Sequence, residues 1–249
     1  MQPQAPRFAE LPNFPGWTKS GDFIKSKIIE NDARVVADIG GGRMPRVDIP
    51  FVKKHNLTYH LFDISNDELA RADKAYHKTQ MDVACADELF DQEAWGGKFD
   101  LIYSHMLLEH LVDPMQAHRN FFRMLRAGGV SIHMFPSKNN FPLTINGLIP
   151  EVVSNRILRF IQPHRNSDGQ EGKFEAHYKY CGVPGVALRK KFESMGYEIE
   201  TYTSFVGHEY YKRIRPLAAI ERALRPIIVK AELPFISANL LILRKPLNS

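Results

Sequence analysis

The chain has 249 residues, 44% of them apolar and 24% charged, with a formal net charge of +5. That length suffices for one α/β domain with a sizeable core, and the average composition, without low-complexity tracts or a fixed repeat, excludes a disordered, collagenous or solenoid chain. Two distant cysteines, Cys85 and Cys181, exclude a disulfide framework and fit a reducing cytoplasm; scattered cations leave no nucleic-acid footprint, and no apolar run is long enough to span a membrane.

Residues 1–33 read as a Pro-rich lead-in followed by a short amphipathic helix from Ser20 to Asn31, with Phe23, Ile24 and Ile28 at helical spacing. Arg34 to Gly40 is then a short β-branched run ending in Asp38 and three glycines, the pattern of a buried strand meeting a tight loop. A second buried strand spans Leu57 to Ile64, and Ser65 with Glu68 forms a capping box at the next helix start. A weaker strand is placed at Thr79 to Val83 and a strong one at Phe99 to Ser104, after the Gly96-Gly97 turn. Asp113-Pro114 supplies an N-cap and first-turn proline for a helix expected to end at Gly128-Gly129, before a strand from Val130 to Phe135.

Past Pro136 the alternation stops, and residues 139–181 read as an inserted cap whose apolar positions from Ile145 to Phe160 have amphipathic spacing. It resumes with a helix from Pro184 to Met195 capped by Gly196, a strand from Tyr197 to Phe205, a basic helix from Arg213 to Lys230, and a strand from Ser237 to Leu243. In the basic helix Leu217, Ile220, Leu224 and Ile227 form a stripe that suits either a membrane surface or merely an outer helix, the second being preferred. Strands alternating with helices predict a single domain over 1–249, an α/β fold with a doubly wound, mostly parallel sheet of about seven strands.

The glycine loop lets backbone amides approach a ligand, and Asp63, at the end of the second strand, is placed to accept hydrogen bonds from two ribose hydroxyls. A plain turn and a helix-capping aspartate are the simpler readings of the two features. A dinucleotide loop needs G-x-G-x-x-G, whereas Pro45 stands here where the third glycine allows close helix packing, which disfavours NAD. Asp38, two positions before the first glycine, instead suits a ligand with an ammonium group, because loop amides can face that ligand's carboxylate.

Val35 to Gly42, Leu61 to Ser65, Met81-Asp82-Val83, the FD…LEH…DP run from Phe99 to Pro114, and Leu125-Arg-Ala-Gly-Gly-Val-Ser-Ile-His-Met134 resemble, in order, the motifs of class I S-adenosylmethionine-dependent methyltransferases. The resemblance covers about Arg34 to Leu243 and implies a Rossmann-like fold with S-adenosylmethionine as cofactor. By it Gly40, Gly41 and Gly42 line the methionine end, Asp38 holds the ammonium directly or through water, Asp63 with Ile64 serves the ribose side, and Asp82 with Val83 binds adenine. Met44 stands where the family often has Gly or Pro. Some relatives bind a divalent ion through Glu-x-x-Glu-His; Met106 takes the first position here, a poor ligand for a hard cation, so no metal is expected.

The implied activity is methyl transfer, with O-methylation of a small-molecule or a lipid- or glycan-linked acceptor as the leading form. A base is needed only if the nucleophile carries a proton. His105 is the first candidate and at the cofactor edge, with His110, His177 and His133 behind it; each has a plainer role in shaping, capping or core packing. Arg156, Tyr178 and Tyr180 are candidate acceptor contacts. A cofactor-binding fold that regulates a partner without chemistry, and an NAD-dependent oxidoreductase, are the competing readings.

Overall fold

The computed structural model describes residues 6–137, 175–207 and 215–248. Most of the expected cap, 139–174, lies outside these residues, and Arg156 with it. Eight strands form one sheet: β1 (Phe8–Glu10), β2 (Val35–Ile39), β3 (Thr58–Asp63), β4 (His77–Gln80), β5 (Phe99–His105), β6 (Leu125–Pro136), β7 (Glu198–Val206) and β8 (Ala238–Arg244). Their order is β1-β7-β8-β6-β5-β2-β3-β4, all parallel except β8, which runs antiparallel to both neighbours.

The helices are α1 (Ser20–Glu30), α2 (Ile49–Lys54), α3 (Asn66–Arg71), α4 (Gln92–Trp95), α5 (Pro114–Met124), α6 (Val186–Ser194) and α7 (Arg215–Lys230). They cover the sheet because the central strands are apolar on both sides and must be shielded from water twice. On one face Ile24 and Ile28 of α1 meet Tyr59, Leu101, Ile132 and Met134; on the other Phe121 of α5 and Phe192 of α6 meet Ile102, Phe99 and Leu241. Parallel strands end on a common side, so Ile39, Asp63 and His105 share one edge of the sheet, where open α/β sheets place ligands.

The structure departs from the sequence expectations at specific points. There are eight strands rather than about seven, because Phe8–Glu10 pairs with Ser204–Val206. Helix α5 stops at Met124, not at the glycines: Leu125 is already extended and pairs with Phe99, and the next pair is Leu101 with Val130. Gly128, at φ +77°, lies in the bulge between these pairs, and its amide donates to the Lys245 carbonyl at 2.9 Å. Strand β4 starts two residues before the expected Thr79 to Val83 and ends at Gln80. Half of the capping box forms: the Glu68 amide donates to Ser65 Oγ, but the Ser65 amide donates to Asp63 Oδ1 at 2.9 Å rather than to Glu68. Asp113 caps α5 as expected, accepting from the Gln116 amide at 3.0 Å. Gly196, at φ +99°, follows the end of α6, where a side chain would be strained.

Candidate active site

The strand β2 delivers Asp38 and then the glycine turn. Gly40 and Gly42 have φ of +73° and +47°, and the Gly40 amide donates to the Phe62 carbonyl at 2.8 Å, fixing the loop across β3. Gly41 is required for a different reason: a Cβ there would lie 2.5 Å from both Asp38 Oδ2 and Leu61 Cδ1. The missing side chain lets the bend close directly onto Asp38 and Leu61, which fixes the positions of its backbone amides.

Asp38 is buried against the inner side of this loop. Its Oδ2 accepts from Tyr59 at 2.8 Å and Tyr103 at 2.5 Å, and the two hydroxyl oxygens are themselves 2.5 Å apart. The two tyrosine protons supply the two bonds to Oδ2, and the closeness of the two hydroxyls follows from their sharing that acceptor. Burial raises the Asp38 pKa to about 6, against the lowering effect of the tyrosine hydrogen bonds. Neither tyrosine was singled out by sequence reasoning, because each looks like an ordinary apolar-strand residue.

Asp63 ends β3 half-buried, its pKa raised by that burial while the amides of Ser65, Gly42 and Ile64 favour the charged form. It thus combines the ligand-facing position with the plain turn role. The side chain of Ile64 beside it is exposed, 53% accessible. The Met81 amide donates to the Asp63 carbonyl at 2.9 Å, which brings the Asp82 turn to the same place. Asp82 itself is exposed and caps its own turn through the Ala84 amide. The Val83 side chain is buried in the core, and its carbonyl accepts from Asn120 Nδ2 at 3.0 Å.

The histidines separate. At the end of β5, His105 Nε2 meets the Gly16 carbonyl at 2.5 Å and so carries the proton, while Nδ1 accepts from Arg46 Nη2 at 3.1 Å. Both ring nitrogens are occupied, and the residue ties the N-terminal segment to the sheet edge instead of standing ready as a base. His133 is a satisfied core histidine, held by Ser104 and Ser131 at 2.8 and 2.7 Å. His110 Nδ1 contacts the Glu175 carbonyl at 3.1 Å. His177 and Tyr178 arrive beside it, both amides donating to the Glu109 carbonyl at 2.7 and 3.0 Å. Tyr180 turns away toward α6, where Lys191 Nζ sits 5.7 Å from its ring centre.

Glu109, in the turn Leu108–His110 after β5, is the residue sequence reasoning passed over. It is 4% exposed, its Oε2 has no hydrogen-bond partner, and burial pushes its pKa up to about 7. Oε1 lies 3.7 Å from His110 Nε2. The adjacent Cys181 thiol is pushed up to about 12, by burial first and by the Glu109 charge second. Among the described residues no cluster of three His, Cys, Asp or Glu is placed to hold a metal ion.

Residues 39–131, which contain the glycine loop, Asp63 and the Leu108–His110 turn, match a family model described as a methyltransferase domain. That stretch is a methyltransferase domain. No curated protein matches its sequence. Among solved structures, a SAM-dependent methyltransferase from Archaeoglobus fulgidus is 15% identical, with a TM-score of 0.54 over 93% of this chain and 97% of that one. Phosphoethanolamine N-methyltransferase 2 from Haemonchus contortus, in complex with S-adenosyl-L-methionine, is 15% identical with a TM-score of 0.54, over 90% of this chain and 52% of its own. The [4+2]-cyclase SpnF is 14% identical with a TM-score of 0.52, over 93% of this chain and 83% of that one. At such identities these neighbours show the fold, and the cyclase among them illustrates that chemistry is set by the site rather than by the fold. S-adenosylmethionine is the methyl donor of this methyltransferase domain, and the residues present fit it: a glycine bend whose amides are fixed in place, amides around Asp63, and an acid behind the loop.

Proposed function

We propose that this methyltransferase O-methylates a small-molecule acceptor, or one linked to a lipid or glycan. The observation that carries the site assignment is the convergence of the glycine bend, Asp63 and the Asp82 turn at the ends of β2, β3 and β4. In this reading Gly40, Gly41 and Gly42 bound the methionine end, Asp63 holds the ribose with Ile64 over the adenine side, and the Asp82-Val83 backbone meets the base. Asp38 acts on the ammonium through the loop or a water, since its own oxygen is taken by two tyrosines. When bound, the cofactor supplies a sulfonium methyl group open to in-line displacement, which asks the protein for alignment and a dry pocket.

The proton of an acceptor hydroxyl passes, in our reading, to the His110 ring, with Glu109 Oε1 3.7 Å away to stabilise the resulting cation and the His177 amide held on the Glu109 carbonyl beside it. His105 is assigned to holding the N-terminal segment. Tyr178 remains the wall on the acceptor side, and residues 139–181 are proposed as the cap over it, with Arg156 an acceptor contact.

The test is incubation with labelled S-adenosylmethionine and a metabolite and lipid extract, followed by identification of the labelled product. An oxygen-methylated product supports the reading, and a nitrogen- or carbon-methylated one overturns the O-methyl part. Cofactor-dependent thermal stabilisation with no labelled product from any extract favours the binding-only alternative, and stabilisation by NAD alone would refute both.

A further inference from the structure

Helix α7 is amphipathic in the reverse sense. Ile220, Leu224 and Ile227, spaced to share one face, are 57%, 43% and 58% exposed, and Pro216, Ala219 and Ala223 around them are exposed too. The charged pair of the helix points the other way. Arg225 donates bidentately to Glu221 at 2.7 and 2.6 Å, both side chains are nearly buried at 11% and 13%, and the guanidinium lies over Gly207. Attachment to the domain runs through Ile228 and Val229, which pack on Phe8, Val206 and Ile236. The helix is thus an outer one, as the sequence suggested, and Ile220, Leu224 and Ile227 of its stripe face out.

The placement of the helix adds to this. Residues 207–237 leave the sheet after Val206 and return before Ala238, which pairs with Pro136 and Phe205. Both junctions are at the edge that also carries Asp63 and His105. The charges that α7 exposes are all cationic: Lys230 borders the apolar face, and Arg215 and Arg222 lie further round. A second copy pressed on the same face would set cations against cations, whereas anionic headgroups complement them and the acyl layer takes the isoleucines.

We propose that α7 is a docking helix for an anionic lipid surface. The inference concerns binding alone, so it stands or falls apart from the acceptor reading above.

The test is co-sedimentation of the full chain with phosphatidylcholine vesicles with and without phosphatidylglycerol. The chain should pellet with the anionic vesicles, and the double variant Ile220→Glu, Ile227→Glu should bind about tenfold or more weakly, as expected for losing buried isoleucine area. Its thermal stabilisation by S-adenosylmethionine should match the parent. Ile227→Trp, which keeps the face apolar, should give a blue-shifted emission quenched by brominated lipid, a readout independent of whether the double variant folds. A parent chain that stays in the supernatant, a Trp that stays in water, or vesicle binding unaffected by the two glutamates would overturn the proposal. So would protection of this face by residues 138–174 in hydrogen exchange without lipid, or a dimer that the double variant dissolves, each of which names another occupant.

Discussion

The two halves of the sheet are built by different means. From β2 to β4 each functional group comes from the strand end that carries it, and the groups are linked over short spans: loop to Asp63, Asp63 to Ser65, Asp63 to Met81. From β6 to β1 the strands are joined by residues distant in sequence, and long stretches of chain separate Pro136 from β7 and Val206 from β8. On the proposed reading the first half seats the cofactor by local structure, and the acceptor falls to the second, where the chain can vary without disturbing that seat.

The largest expected effect tests the first half at its tightest point. Gly41→Val should abolish measurable cofactor binding in calorimetry and cost about 1–3 kcal/mol of stability or more, because its Cβ has no space between Asp38 and Leu61. Near-normal affinity would remove the bend from the site. Next comes Glu109→Gln, in the turn after β5, the strand between the two halves. An acid whose folded pKa is raised from 4.5 to about 7 carries no penalty below pH 4.5 and its full penalty above pH 7, at roughly 1.4 kcal/mol per unit about 3 kcal/mol. The variant should therefore gain stability over the parent as pH rises from 4 to 8 in parallel chemical denaturation series, and a difference flat with pH would show the carboxyl to be solvated. Asp63→Ala should weaken cofactor binding by about 1.5–3 kcal/mol, roughly ten- to a hundredfold, through lost charge-assisted hydrogen bonds. The smallest change is His105→Ala, expected to cost about 1 kcal/mol of stability and to leave the pH dependence of turnover unaltered. Loss of one limb of that pH profile would restore the histidine as the base.

The same contrast explains what could be read from the chain. Strand, glycine loop and terminal acid are local patterns, so Asp38, Gly40 to Gly42 and Asp63 were legible with their structural context. Phe8–Glu10 was not, since three residues carry no periodicity and its pairing is entirely long-range. Gly128-Gly129 looked like a helix cap because glycine signals a departure from regular backbone without saying which. Spacing revealed the stripe of α7 but not its direction, which depends on Arg225 and Glu221 finding each other on the inner side. Glu109 was invisible for a related reason: no local pattern tells a carboxylate that it will be enclosed.

Strand β1 has a bearing on synthesis. It is first in the chain but last in the sheet, and Thr203 Oγ1 donates to the Pro6 carbonyl across 197 residues. As the polypeptide emerges from the ribosome, that opening stretch finds no mate until β7 has followed it out. Until then the flank of β7 has no neighbour either, so the step that seals this border of the sheet falls late in folding, and a short deletion at the start of the chain would leave a sticky rim exposed for self-association.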